Sequence, residues 1–472
     1  MTRTTDLIVV GGGAGGLMAA REGLRRGAKT TLIQDGPPGG DCTFTGCVPS
    51  KTLLAAGERR DGFSDAMSAV HDTVERIAAT EDADTLRQEG IEVITGRARL
   101  GPSNSVEVDG TRLSAPRIVI ATGSRPSFPP VDGLADASPL TNETLFNLTE
   151  QPGRLLILGA GPIGCEMAQA FAALGTRVTL IERADRPLPR DEPEVGAVVR
   201  AMLERRGVEV LTGASVTSVA RSPGSGEVTA HLDGSGTVEA DEVLVATGRT
   251  PVTDGLDVGR AGVLLTTNGA IEVDATMATS APGVWAVGDV TGHAQFTHAA
   301  IRMAMVAVAN AFRRPLLPRQ RFSEAAVPTV TYLDPEVAHV GMTEAQAAAH
   351  GGRVAWLPLD ELDRALTSGA TDGFVKLIAG PRPVIGNLGG GRMLGATIVA
   401  PRAGEMIHEV ALAMHTKMFA GRLAQAVHAY PTWSMAVQEA AAQFFVEHKG
   451  RSARPAQAQS DAGSPTAMAG RR

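Results

Sequence analysis

Cysteine is scarce, with three residues in a chain of 472. Three cannot staple a secreted scaffold, so cysteine chemistry here is catalytic, metal-linked or incidental. An excess of basic charge is also missing. Forty-four Lys and Arg stand against 51 Asp and Glu, a net charge of −7, which argues against a broad phosphate-backbone footprint. No run approaches the roughly 18 uninterrupted apolar residues of a membrane span. The apolar stretch over 7–20 is too rich in glycine between 11 and 16, and too poor in a cleavage signal, to read as an export sequence. These absences predict a cytoplasmic chain with no nucleic-acid partner and no membrane partner.

Glycine, by contrast, is abundant at 55 residues and falls in clusters rather than in a three-residue period. The clusters reveal an internal echo. The β-rich run Asp6–Val10 leads into Gly11-x-Gly13-x-x-Gly16, a helical pattern over Leu17–Gly27 and a second strand, Lys29–Ile33. The plan recurs 148 residues later: Leu155–Leu158, then Gly159-x-Gly161-x-x-Gly164, a helix to about Leu174 and the strand Arg177–Ile181 ending at Glu182. Each copy is followed by an apolar strand closing in Ala-Thr-Gly, Ile118–Ala121 with Gly123 and Val243–Ala246 with Gly248. The strand–glycine–helix order is what a dinucleotide requires. The first Gly permits the turn, the second admits the pyrophosphate and the third lets helix and strand close, with the helix N-terminus facing the anion. Two nucleotide-binding lobes are therefore expected, giving an α/β fold. From about residue 324 an α+β segment follows, with strands at Thr329–Leu333, Phe374–Ile378 and Met393–Val399 and helices at Gly404–Met418 and Ser434–His448.

Cys42 and Cys47 follow the first βαβ unit. On one regular helix their Cα atoms would lie about 8–9 Å apart, beyond the roughly 7 Å a disulfide tolerates. Either they are unlinked, or Cys42 precedes the helix and the chain tightens at Gly46. Pro49 suits a first helical turn, which favours the second arrangement. Cys47 would then sit at a helix N-terminus and be stabilised as thiolate, leaving Cys42 freer to attack a substrate. No second Cys/His pair accompanies them at metal-ligand spacing, so no metal site is expected. Cys165 reads as a packed helix residue.

The run Gly39-Gly40-Asp41-Cys42-Thr43-Phe44-Thr45-Gly46-Cys47-Val48-Pro49-Ser50-Lys51 resembles the flavin-dependent pyridine nucleotide–disulfide oxidoreductases, and its phrasing is most similar to the mercuric-reductase-like branch. Gly248-Arg249-Thr250-Pro251, Gly288-Asp289 and the stretch from Pro328 to Glu344 extend the likeness over about residues 5–448. The resemblance implies two Rossmann-like domains of the glutathione-reductase-like fold and a C-terminal α+β dimerisation domain. The implied boundaries are 1–150 and 273–323 for the FAD-binding domain, 151–272 for NAD(P), 324–448 for dimerisation and 449–472 for a disordered tail. It assigns Gly11, Gly13, Gly16, Gln34, Gly40, Lys51, Gly123 and Asp289 to FAD, and Gly159, Gly161, Gly164, Glu182 and Gly248 to the nicotinamide nucleotide. Electrons would pass from NAD(P)H through FAD to a redox-active Cys42–Cys47 disulfide beside a Lys51–Glu166 pair, in a homodimer. The acceptor would be a small molecule or a metal ion: a disulfide, a soft ion such as Hg(II), or a quinone.

Departures from the family pattern bear on function, among them that no cysteine follows Cys165 where the well-known mercuric reductases carry a C-terminal pair, which weakens a dedicated mercury role. Gln34 stands where the flavin lobe should carry an acid. Glu182 disfavours a 2′-phosphate and so favours NADH over NADPH, with Arg183 and Arg186 close enough to oppose it. The family's C-terminal His-Pro, with its Glu partner, is replaced by Tyr430-Pro431 and Met435, which leaves Tyr430 or His428 as the catalytic acid–base group. A phenol near pKa 10 protonates a leaving thiolate poorly, whereas a soft metal or a quinone needs little such help. Alternatives are a dihydrolipoyl-dehydrogenase-like enzyme and a non-catalytic flavoprotein redox sensor.

Overall fold

The computed structural model describes residues 3–458, which form two compact units, 3–189 with 199–324 and 190–198 with 325–458.

In the first unit, the buried run Leu7–Val10 is the middle of a five-stranded parallel sheet ordered Val284–Ala286, Ile118–Ile120, Leu7–Val10, Thr30–Gln34, Glu92–Thr95. Its inner strands Leu7–Val10 and Ile118–Ile120 are apolar and buried on both faces, as a sheet covered on both sides requires. A second parallel sheet repeats the plan in the order Glu209–Thr212, Arg177–Glu182, Arg154–Leu158, Glu242–Val245. The glycine-motif helices run Ala14–Arg25 and Pro162–Ala173, the first starting three residues earlier than its apolar period suggested. After the two Ala-Thr-Gly turns, Ser124–Pro126 and Arg249–Pro251 pair antiparallel and tie the lobes together.

The second unit is built on a six-stranded antiparallel sheet ordered Thr329–Thr331, Glu336–Gly341, Arg392–Ala400, Phe374–Gly380, Arg353–Pro358, Arg454–Pro455. Helices Ala403–His415 and Met435–Ala442 supply its main helical cover, with Ile407, Val410, Val437 and Ala440 in the shared core. The C-terminal helix ends at Ala442, six residues short of its expected end. There Gln443 turns inward, its amide bonding both the N–H and the carbonyl of Trp356.

The expected disordered tail over 449–472 requires correction. Its first residues are ordered, because Arg454–Pro455 adds a strand beside Arg353–Pro358 and Arg454 forms a two-pronged ion pair with Glu344. Residues 459–472 lie outside the described residues.

Candidate active site

The glycines divide their labour as the chemistry of a nucleotide cradle demands. Gly11 and Gly159 turn with φ of +103° and +100°, and a Cβ on either would strike the carbonyl of Ala121 or Ala246. A Cβ on Gly16 or Gly164 would lie 1.8 or 1.9 Å from the carbonyl oxygen of Gly11 or Gly159, so only hydrogen fits. Between them, Gly161 faces no protein atom within 4 Å. That is open space a side chain would fill and a diphosphate can use. The residues present thus fit FAD and a nicotinamide dinucleotide.

Each cradle is held by a matching hook. The N–H of Gly12 donates to Gln34 Oε1, and the N–H of Ala160 donates to Glu182 Oε2 at 2.8 Å. Glu182 Oε1 also accepts from Ala184 N at 2.8 Å. Gln34 therefore takes over the backbone duty of the missing acid, while its amide nitrogen donates to the carbonyls of Asp35 and Pro37. Arg186 is engaged with Asp185 and the Pro189 carbonyl, and Arg183 is exposed.

The cysteines sit on two helices, Gly40–Phe44 and Cys47–Arg59, joined at Gly46. The joint is tight. A Cβ on Gly46 would lie 2.7 Å from the Asp41 carbonyl oxygen and 3.2 Å from Cys42 Cα. The first helix starts against the first glycine cradle, with Gly39 N donating to Gly12 O at 2.8 Å. Both cysteines are free thiols whose side chains are hydrogen-bonded to each other.

The two sulfurs are unequal. The Cys42 hydrogen bond lowers the Cys47 pKa to about 6, with Lys51 and Thr297 helping against burial. The same contact, together with burial, pushes Cys42 well up, so Cys42 keeps the proton. Lys51 lies one helical turn beyond Cys47, on the same face. Thr297, at the start of helix Thr297–Ala311, brings Oγ1 to 3.8 Å from Cys47 Sγ. Residue Cys47 is exposed and Cys42 half-buried, and the proton arrangement distinguishes their sulfurs.

Lys51 Nζ donates to Glu166 Oε2 at 2.7 Å, joining the cysteine helix to the second glycine helix. Glu166 is almost fully buried, and Lys51 is its charged partner there. Cys165 beside it is buried, with its thiol on the Ala160 carbonyl, as a packing residue should be.

Asp289 accepts from Ser124 Oγ at 2.6 Å, and burial pushes its carboxyl up despite that bond and the Arg249 guanidinium 3.6 Å away. Arg249 is a hub. It also donates to Asp41, to Ser124 Oγ at 2.6 Å and to Asn142 Oδ1 at 3.3 Å, so one guanidinium links the residue before Cys42 to Asp289. Gly123 and Gly248 both have positive φ at the turns feeding this hub, and Gly40 packs on Gly13.

In the second unit, the Tyr430 phenol donates to Asp363 at 3.0 Å, which pushes its pKa above the ordinary value. His428 makes a separate pair, Nε2 to Glu409 Oε2 at 3.1 Å and Nδ1 to the Ala426 carbonyl at 3.0 Å. Both ring nitrogens face acceptors, and burial raises the Glu409 carboxyl pKa against the pull of His428.

Thr297, Arg249, Glu409 and Asp363 escaped the sequence reading as site residues. Only Arg249 had a signal, its place in Gly-Arg-Thr-Pro; the others act across long stretches of chain.

Comparison with known proteins agrees with this geometry. Residues 5–304 match the family model described as pyridine nucleotide-disulphide oxidoreductase, and 327–441 match its dimerisation domain. A mercuric reductase of Bacillus cereus is 33% identical over 90% of this chain and 69% of its own length. A dihydrolipoyl dehydrogenase of Thermus scotoductus is 34% identical over 93% of this chain and 97% of its own. Among solved structures, the Cu(II) complex of an HOCl-induced flavoprotein disulfide reductase from Escherichia coli superposes with a TM-score of 0.84 at 28% identity, covering 94% of this chain and 99% of that one.

Proposed function

The chain belongs to the pyridine nucleotide-disulphide oxidoreductases, and from that membership we propose an NADH-preferring, homodimeric enzyme that delivers electrons from the Cys42–Cys47 dithiol to a soft metal ion. The carrying observation is the asymmetric thiol pair beside the first glycine cradle, with its thiolate shared among Cys42, Thr297 and Lys51. FAD, when bound, supplies a two-electron relay between nicotinamide and thiols. Residues 1–150 and 273–323 would hold it, through Gly11, Gly13, Gly16, Gln34 and Asp289. Residues 151–272 would hold the nicotinamide nucleotide, through Gly159, Gly161, Gly164 and Glu182.

Lys51 and Glu166 orient the cysteine helix against the second lobe. Cys42 and Cys47 then present one thiol and one thiolate, a donor set that a soft cation takes readily. A metal acceptor needs no leaving-group proton, which agrees with a Tyr430 phenol already committed to Asp363. Glu182, with both oxygens directed by backbone N–H groups, favours a ribose hydroxyl over a 2′-phosphate.

A second reading, reduction of a lipoyl-type disulfide, is favoured by the His428–Glu409 pair, which could donate the proton that Tyr430 withholds. Anaerobic titration with NADH and NADPH, followed by acceptor screening, tests both. We expect flavin bleaching, a long-wavelength thiolate–flavin absorbance and faster turnover with Hg(II) than with lipoamide. Tyr430→Phe should leave metal reduction intact. Lipoamide turnover abolished by His428→Gln would favour the second reading, and a flavin unreactive towards both nucleotides would sink the proposal.

A further inference from the structure

The connection after helix Thr297–Ala311 reads Arg313-Arg314-Pro315-Leu316-Leu317-Pro318-Arg319-Gln320-Arg321, four arginines around two leucines in a chain of net charge −7. It is a built loop. Asn310 closes its base, donating to Gln320 O at 2.9 Å and accepting from Gln320 N at 2.9 Å. The Arg313 guanidinium fills it from inside, donating to the carbonyls of Arg314, Pro315 and Leu317. Phe322 then returns to the core, its N–H bonded to Ala275 O. What the loop presents is Leu316, 99% exposed, and Leu317, 56% exposed, flanked by exposed Arg314, Arg319 and Arg321.

Apolar tips are usually folded inward, and here the internal hydrogen bonds hold one outward. We propose that this loop docks the enzyme on an anionic lipid surface, with Leu316 and Leu317 entering the headgroup–acyl boundary and the arginines meeting lipid phosphates. Both chemistries are needed and both are present. Pro315 and Pro318 bracket the tip without N–H groups, so fewer backbone donors lose water on entry. Single-stranded nucleic acid fits less well. The loop's aromatic neighbours are turned inward, Phe312 under Arg117 and Phe322 into the core, so no ring is offered for base stacking. The acidic remainder of the molecule does not forbid the contact, because at 0.1 M salt charges beyond about 10 Å are screened. Asp274, whose carboxyl feels Arg319, is the acidic neighbour within the loop's field. The expectation of no membrane partner rested on the lack of a spanning segment, which does not bear on surface docking.

The test is co-sedimentation of the full-length, flavin-loaded protein with vesicles of phosphatidylcholine alone or with 30% phosphatidylglycerol. Binding should be at least tenfold stronger to the anionic vesicles, at roughly fivefold per arginine, and should fall with added salt. Arg314→Gln with Arg319→Gln should erase the lipid preference. Leu316→Ser with Leu317→Ser should cut binding about tenfold or more. Flavin reduction by nucleotide should be unchanged in all variants. Equal weak binding to both vesicles, indifference to the leucine change, or tighter capture of an RNA oligonucleotide than of vesicles would overturn the proposal. So would a changed sedimentation coefficient of the free Leu316/Leu317 variant, which would make the loop an intersubunit contact.

Discussion

At the scale of single residues, the proposed site rests on one proton divided between two sulfurs. Cys47 gains its thiolate character first from Cys42 and then from Lys51 and Thr297, so it protonates as pH falls through about 6. Thiolate absorbance of the reduced protein at 240 nm should therefore be half lost near that pH. Thr297→Val removes one donor and should move the midpoint up by about half a unit to one unit, in line with the roughly 1 kcal/mol of one ordinary hydrogen bond. An unmoved midpoint would remove Thr297 from the site. Much of this was legible in the sequence: Gly46 and Pro49 placed Cys47 at the head of a helix, and the unequal sulfurs followed. Thr297 was not legible, because it stands 250 residues from Cys47 and nothing local distinguishes it from other helix-starting threonines. Glu409 and Asp363 were hidden for the same reason, since a hydrogen-bond partner across a fold leaves no spacing to count.

At the scale of elements, the glycine positions separate architecture from binding. Gly164→Ala would press a methyl to within 1.9 Å of the Gly159 carbonyl oxygen, so we expect little soluble protein. Gly161→Ala meets no protein atom, and should fold normally while losing nucleotide affinity by tenfold or more, as isothermal titration would measure. The added C-terminal strand is the other informative element. Lys376 is buried among Glu192, Glu194 and Glu344, and Arg454 brings the second cation to that group. Burial works against the Glu344 charge, but Arg454 and Lys376 outweigh it and hold its pKa below the usual 4.5. A depressed pKa means stability that is complete above about 4.5 and lost as pH falls through the lower folded value. Arg454→Gln should cost about 1–2 kcal/mol at pH 7, since the arginine is part-exposed, and should blunt that acid dependence in urea titrations. Composition suggested a disordered tail because Ala, Ser, Gly and Pro dominate it. One arginine aimed at a buried carboxylate overrode the average.

For the whole molecule, the internal echo made the two nucleotide lobes and their order readable, since periodic glycines and apolar strands are local signals. The antiparallel sheet was read only in part. Glu336–Gly341 and Arg353–Pro358 went unread because their pairing with distant strands, rather than their own pattern, defines them. That unit leaves Val427 98%, Val446 59% and Leu412 58% exposed, an apolar display suited to a partner subunit. Val427→Glu should shift sedimentation from dimer towards monomer at micromolar concentration, and an unchanged dimer would place the interface elsewhere. A last consequence concerns the two hooks, Gln34 under Gly12 and Glu182 under Ala160. They occupy the same station in two copies of one motif and differ by a single oxygen-for-nitrogen exchange. Exchanging the two side chains would transplant the neutral hook into the second lobe and the acidic hook into the first, and we expect it to retune each without rebuilding either.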